Sequence, residues 1–83
     1  MNCQVKSQLF ADYLSKNGGK QVYLVVIEHD SSNYSHEFVE YNDHYYDPCY
    51  SGISYNLSKT EYLDILHQLG FNGVMITSPY NPQ

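Results

Sequence analysis

Apolar residues recur at three- and four-residue steps at the start of the chain and then close up into a nearly unbroken run. Val5, Leu9, Phe10, Tyr13 and Leu14 fall on helical spacing, which predicts an apolar stripe on a helix from Cys3 to Asn17. Asn2 stands where a side chain caps the free N–H groups of the first turn, and Gly18-Gly19 supplies the left-handed residue that closes a helix. Gln21 to Glu28 follows. Its run Val22-Tyr23-Leu24-Val25-Val26-Ile27 predicts a strand buried on both faces inside a sheet.

A polar loop from Asp30 to Ser35 leads to a strand from Ser35 to Tyr41. Asn42-Asp43 then forms a two-residue turn, because both residues tolerate positive φ, and His44 to Asp47 returns antiparallel. Asp47-Pro48 breaks the strand, and Cys49 to Asn56 reads as a loop bearing aromatic residues. Ser58 and Glu61 form a capping box for a second helix, with Leu57 placed to staple against Tyr62. Tyr62, Leu63, Ile65, Leu66 and Leu69 supply its apolar face, and Gly70 stops it. A last short strand runs from Gly73 to Ser78. The order α-β-β-β-α-β predicts an α+β domain: a small antiparallel sheet with an N-terminal helix and a second helix packed on it.

Eighty-three residues hold one modest core, so a single domain spans 1–83 with a short tail at 79–83. Nine acidic residues against four basic ones give a formal charge of −5. A protein that neutralises phosphates shows the opposite balance, which disfavours direct nucleic-acid binding and suits a protein partner with a basic surface. No basic segment followed by an apolar run opens the chain, and no stretch nears the roughly 18 apolar residues that span a bilayer. The expectation is a cytoplasmic chain with no membrane association. In a reducing compartment its two cysteines, Cys3 and Cys49, are expected as free thiols rather than a disulfide. His29, His44 and His67 lie on unrelated elements without metal-ligand spacing, so neither a metal nor a cofactor is expected.

The hairpin register brings candidate chemistry together. With Asn42 and Asp43 as the turn, Tyr41 faces His44, Glu40 faces Tyr45, Val39 faces Tyr46 and Phe38 faces Asp47. His36 shares the face of Phe38 and lies diagonal to Asp47, within reach of an imidazole–carboxylate hydrogen bond. Cys3 opens a helix whose N-terminus favours a thiolate. Cys49 is a rival thiol, since the same register continued past Asp47 places it opposite His36.

The segments Ser35-His36-Glu37-Phe38-Val39-Glu40-Tyr41 and Tyr45-Tyr46-Asp47-Pro48, behind a helix opened by Asn2-Cys3-Gln4, resemble the core of transglutaminase-like and papain-like cysteine proteases. The resemblance covers roughly residues 2 to 50. It implies Cys3 as nucleophile, His36 as general base and acid, and Asp47 as the group that orients the imidazole. Papain-like enzymes place an oxyanion-stabilising side chain some residues before the cysteine. Here Met1 and Asn2 precede it, so the Asn2 side chain and the Cys3 N–H are the candidate donors.

Two function classes follow. The first is a minimal cysteine hydrolase that cleaves or transfers an acyl group. The second is a non-catalytic acidic inhibitor on the same scaffold, of the kind common among phage-encoded proteins such as anti-CRISPR proteins. Its contact surface would draw on Glu37, Glu40, Tyr41, Asp43, Tyr45, Tyr46 and Tyr50, tyrosine giving large contact area at low entropic cost.

Overall fold

The computed structural model describes residues 2–31 and 33–82, so Met1, Ser32 in the expected polar loop and Gln83 at the end of the expected tail lie outside the described residues. Its elements are α1 (Cys3–Lys16), β1 (Tyr23–Glu28), β2 (Ser35–Tyr41), β3 (His44–Tyr46), α2 (Ser51–Ser54), α3 (Lys59–Gln68) and β4 (Met75–Pro79). The strands form one antiparallel sheet in the order β3-β2-β1-β4. This is the α+β domain that the pattern predicts.

Strand alternation divides the core between the two sheet faces. Val25, Ile27, Phe38 and Tyr45 point to one side and pack with Tyr62, Leu66 and Phe71. Val39 points to the other side, where Ala11 of α1 and Val22 complete a second cluster flanked by Phe10, Leu14, Tyr41 and Tyr46. A helix therefore covers each face, α3 on one and α1 on the other. β4 lies at an edge, and every one of its residues is exposed, Ile76 at 57%.

Asn42 and Asp43 adopt φ of 54° and 60°, so the hairpin has the left-handed two-residue turn expected of it. Tyr41 pairs with His44, Glu40 with Tyr45 and Val39 with Tyr46, as the register required. The capping box is also present: the Ser58 hydroxyl accepts from the Glu61 N–H, and the Ser58 N–H donates to the Glu61 carboxylate. Gly70, at φ 97°, ends α3 with the Gly70 N–H bonded to the His67 carbonyl and the Phe71 N–H to the Leu66 carbonyl. That pair of bonds is a Schellman motif, and its apolar contact is Phe71 against Leu66.

Several expectations are corrected. The apolar stripe of α1 splits: Phe10 and Leu14 are half-buried, while Val5, Leu9 and Tyr13 are exposed, Leu9 at 56%. The fully buried positions are the small residues Ser7 and Ala11, which let the helix approach the sheet closely. The Ser7 hydroxyl donates to the Glu37 carbonyl at 2.8 Å, a bond that fixes which side of α1 faces β2. Leu69 is exposed because it is the C-cap of α3 rather than part of its buried face. The strands are shorter than predicted at Gln21, Asp47 and Gly73, and the expected loop after Cys49 contains the short helix α2. The tail starts later than position 79, since Pro79 belongs to β4 and the Tyr80 hydroxyl donates to Asp12 at 3.0 Å.

Candidate functional site

Asp47 is the centre of the buried polar chemistry. It follows the last residue of β3, is 0% exposed, and has every side-chain oxygen engaged. His36 Nε2 and the Tyr62 hydroxyl both bond its Oδ2, and the Cys49 N–H donates to its Oδ1 at 2.9 Å. Its own N–H donates to the Ser54 hydroxyl at 2.9 Å, and its carbonyl accepts from the Tyr50 N–H at 3.0 Å. A buried carboxyl group is tolerated only when donors of this kind replace its water.

His36 lies in β2 at 6% exposure, with its ring among Phe38, Tyr50 and Phe71. The bond to the Asp47 carboxylate selects the tautomer with hydrogen on Nε2. Nδ1 is then the lone-pair nitrogen, and it has no hydrogen bond among the described residues. Tyr62 of α3 supplies the other donor to Oδ2. Burial, then the adjacent Asp47 carboxylate, pushes its hydroxyl far above the usual phenol range, so it remains a donor wherever the chain is folded.

A groove of about 540 Å³ crosses the start of β2 and is lined by Asn2, Cys3, Gln4, His36, Glu37 and Tyr50, among others. The fold thus brings Cys3 and Asn2, from the start of α1, to the same surface as His36. The Asn2 side-chain oxygen Oδ1 is occupied as the helix cap, accepting from the Val5 N–H at 2.9 Å, so its side-chain NH2 is the group left to donate. A larger depression, about 670 Å³, lies at the hairpin end of the sheet between Lys20, Tyr23, Glu40 and Asp43. No cysteine or histidine lines it.

The two cysteines are not free. Cys3 and Cys49 form a disulfide, with Cα atoms 5.8 Å apart. The register that placed Cys49 opposite His36 does not continue, because the ladder ends at Tyr46 and the Asp47-Pro48 turn carries Cys49 toward the start of α1. The expectation of two free thiols is therefore corrected.

The residues expected to form a contact surface separate. Tyr45 is 5% exposed and is a core residue packed against Phe38 and Tyr62. Tyr41 and Tyr46 flank the cluster under α1. Glu40 and Asp43 both pair with Lys59, at 2.6 and 3.1 Å, so part of the acidic character is neutralised internally. Tyr50 is exposed and lines the groove with Glu37.

Comparisons with family models, with curated proteins and with solved structures return no match. Roles for these residues thus rest on their geometry. Among the described residues no group of three or more His, Cys, Asp or Glu side chains is placed to hold a metal. No described helix is long and apolar enough to cross a membrane.

Two residues of the site, Ser54 and Tyr62, were not singled out from the sequence. Tyr62 carried one signal: a tyrosine on an otherwise aliphatic helix face needs a buried acceptor for its hydroxyl. Ser54 carried none, since its bond to Asp47 depends on the α2 turn.

Glu37 gives a pH-dependent prediction. Burial raises its carboxyl above the ordinary 4.5, against the lowering effects of a Gln8 hydrogen bond and of His36. Its Oε2 is buried without a hydrogen bond among the described residues. A carboxyl raised in the folded state contributes stability that is fully present below the ordinary value and is lost as pH rises through the folded value. Glu37→Gln is expected to remove that loss, so urea midpoints of the variant fall less than those of the parent as pH is raised from 4.5 to neutrality. Parallel profiles for the two chains would show that Glu37 ionises as freely folded as unfolded.

Proposed function

We propose that the chain, with Cys3 reduced, is a minimal cysteine hydrolase of transglutaminase-like or papain-like type that works through an acyl thioester. The observation that carries the reading is the buried His36–Asp47 hydrogen bond, which presents Nδ1 as the free base on a residue that shares a groove with Cys3. His36 Nδ1 takes the Cys3 thiol proton, and the thiolate attacks an acyl carbonyl. The Cys3 N–H and the Asn2 amide stabilise the oxyanion. His36 then protonates the leaving group, and water, deprotonated by the same nitrogen, hydrolyses the thioester. Asp47 holds the Nε2–H tautomer throughout, and Tyr62 and Cys49 hold Asp47.

The test is hydrolysis of p-nitrophenyl acetate by the chain reduced with a phosphine. A burst of nitrophenol stoichiometric with protein is expected, absent in Cys3→Ala and slowed by about 10²–10⁴-fold in His36→Ala. A burst that survives Cys3→Ala and disappears with Cys49→Ala reverses the choice of nucleophile.

A second reading, an acidic inhibitor that binds a basic protein, draws on the charge of −5 and on the disulfide that occupies both sulfurs. Its surface would centre on the exposed Tyr50 rather than on the buried Tyr45. Activity in the burst assay that depends on Cys3 speaks against it.

A further inference from the structure

We propose that the Cys3–Cys49 disulfide is a thiol–disulfide exchange site for a dithiol reductant, and that it caps the nucleophile until it is opened. What the released thiol then does rests on the hydrolase reading. The opening itself rests on separate observations.

The first is position. Neither cysteine belongs to the two core clusters, both Cys3 and the attacked Cys49 are only half-buried, and Cys3 lines the groove that holds His36. The second is that each half of the disulfide is anchored without it. Cys49 is held by its N–H bond to Asp47 Oδ1, and the turn around it by the Tyr50 N–H to the Asp47 carbonyl and the Asp47 N–H to Ser54. α1 is held by the Ser7 bond to the Glu37 carbonyl and by Ala11 packed with Val39. Breaking the sulfur–sulfur bond therefore removes one tie between segments that have others. A disulfide that is the sole attachment of a loop lacks this property.

The third observation sets the direction of the exchange. Cys3 is the first residue of α1, whose first turn carries no acidic residue, so a thiolate there meets the unopposed positive end of the helix. The sulfur with the more stable thiolate is the better leaving group. A thiolate of the reductant attacks Cys49 Sγ, the Cys3–Cys49 bond breaks, and Cys3 leaves as the thiolate. The second thiol of the reductant attacks its own sulfur in the mixed disulfide, expelling Cys49 as a thiolate that takes up a proton. The reductant ends as its internal disulfide. Two electrons pass to the two cysteines, and Cys3 is left as a thiolate in the groove that His36 also lines.

The experiment equilibrates the full chain in mixtures of reduced and oxidised dithiothreitol. The redox state is read by iodoacetamide labelling and mass, and tertiary structure by the near-ultraviolet circular dichroism of the tyrosines. A single two-electron transition with the tertiary signal kept, reversed on reoxidation, is the expected result. Loss of that signal in step with reduction, or a disulfide that resists dithiothreitol until denaturant is added, overturns the proposal. Labelling rates then test the reading beneath it. In the folded reduced chain Cys3 should label at least ~10-fold faster than Cys49 at mildly acidic pH. Cys49→Ser should show the same fast Cys3 without any reductant. Equal, ordinary rates in a chain that opens reversibly overturn the nucleophile and leave the exchange site standing.

Discussion

Asp47→Ala is expected to lower stability by about 3–5 kcal/mol, the upper range for a single substitution that breaks a buried hydrogen-bond network. The side chain is 0% exposed and accepts from His36, Tyr62 and Cys49. Truncation leaves those donors facing a cavity, and each unsatisfied donor costs about 1–3 kcal/mol where water cannot reach it. Asp47→Asn separates this structural role from the chemical one. The asparagine fills the same volume and can still accept from the Cys49 N–H. Its amide NH2 then faces both His36 and the Tyr62 hydroxyl; it donates one hydrogen to Nε2, which moves the imidazole hydrogen to Nδ1, and the other to the Tyr62 oxygen, so that Tyr62 loses its acceptor. The nitrogen needed as base is thereby blocked. Turnover in the burst assay should fall by about 10⁴-fold, as when a triad carboxylate elsewhere becomes an amide, while stability falls much less than in Asp47→Ala. Urea denaturation reads the first effect, and nitrogen chemical shifts of the His36 ring read the tautomer. Full activity in Asp47→Asn would show that the bond to Asp47 does not select the working nitrogen.

The hairpin was the most legible part of this fold because its turn residues constrain the backbone directly. Asn42 and Asp43 accept left-handed φ, and a two-residue turn leaves one register, which in turn puts His36 diagonal to Asp47. The ends of α3 were equally readable, since Ser58, Glu61 and Gly70 act within a few residues of themselves. The orientation of α1 was not. Hydrophobic spacing gave Val5, Leu9 and Tyr13 the same weight as Phe10 and Leu14, whereas the helix is turned by Ser7, a polar residue whose partner is the carbonyl of Glu37, 30 positions away. The same limit hid Ser54 and the partner of Tyr62. Their bonds to Asp47 satisfy a buried group brought in by another element, and local spacing, which placed Tyr62 on a buried face, does not record which acceptor its hydroxyl meets. Cys49 illustrates a further case: extending a ladder by counting fails where proline ends the strand, and Asp47-Pro48 was itself the warning.

Removing the disulfide by Cys3→Ser or Cys49→Ser is expected to lower stability by up to about 4 kcal/mol, the chain-entropy value for a closed loop of this length; the sequence separation is 46. For a chain of 83 residues that is a large share of a total on the order of 4–12 kcal/mol. Urea denaturation checks it with an internal control. In oxidising buffer both variants should unfold at lower urea than the parent, and by the same amount, because each breaks the same loop. In reducing buffer the parent should fall to meet them. Equal midpoints for all three in oxidising buffer would mean that the loop is not closed in solution. The reduced midpoint also decides what the disulfide is for. If the two core clusters and the Asp47 network keep the reduced chain folded, opening exposes Cys3 to His36 within an intact site, and the bond acts as a removable cap. If the reduced chain unfolds without urea, those anchors are too weak to stand alone and the bond is a staple. Because the same network that orients His36 also holds Cys49, weakening it through Asp47→Ala should shift the chain toward the second behaviour, and the loss should be greater in reducing than in oxidising buffer.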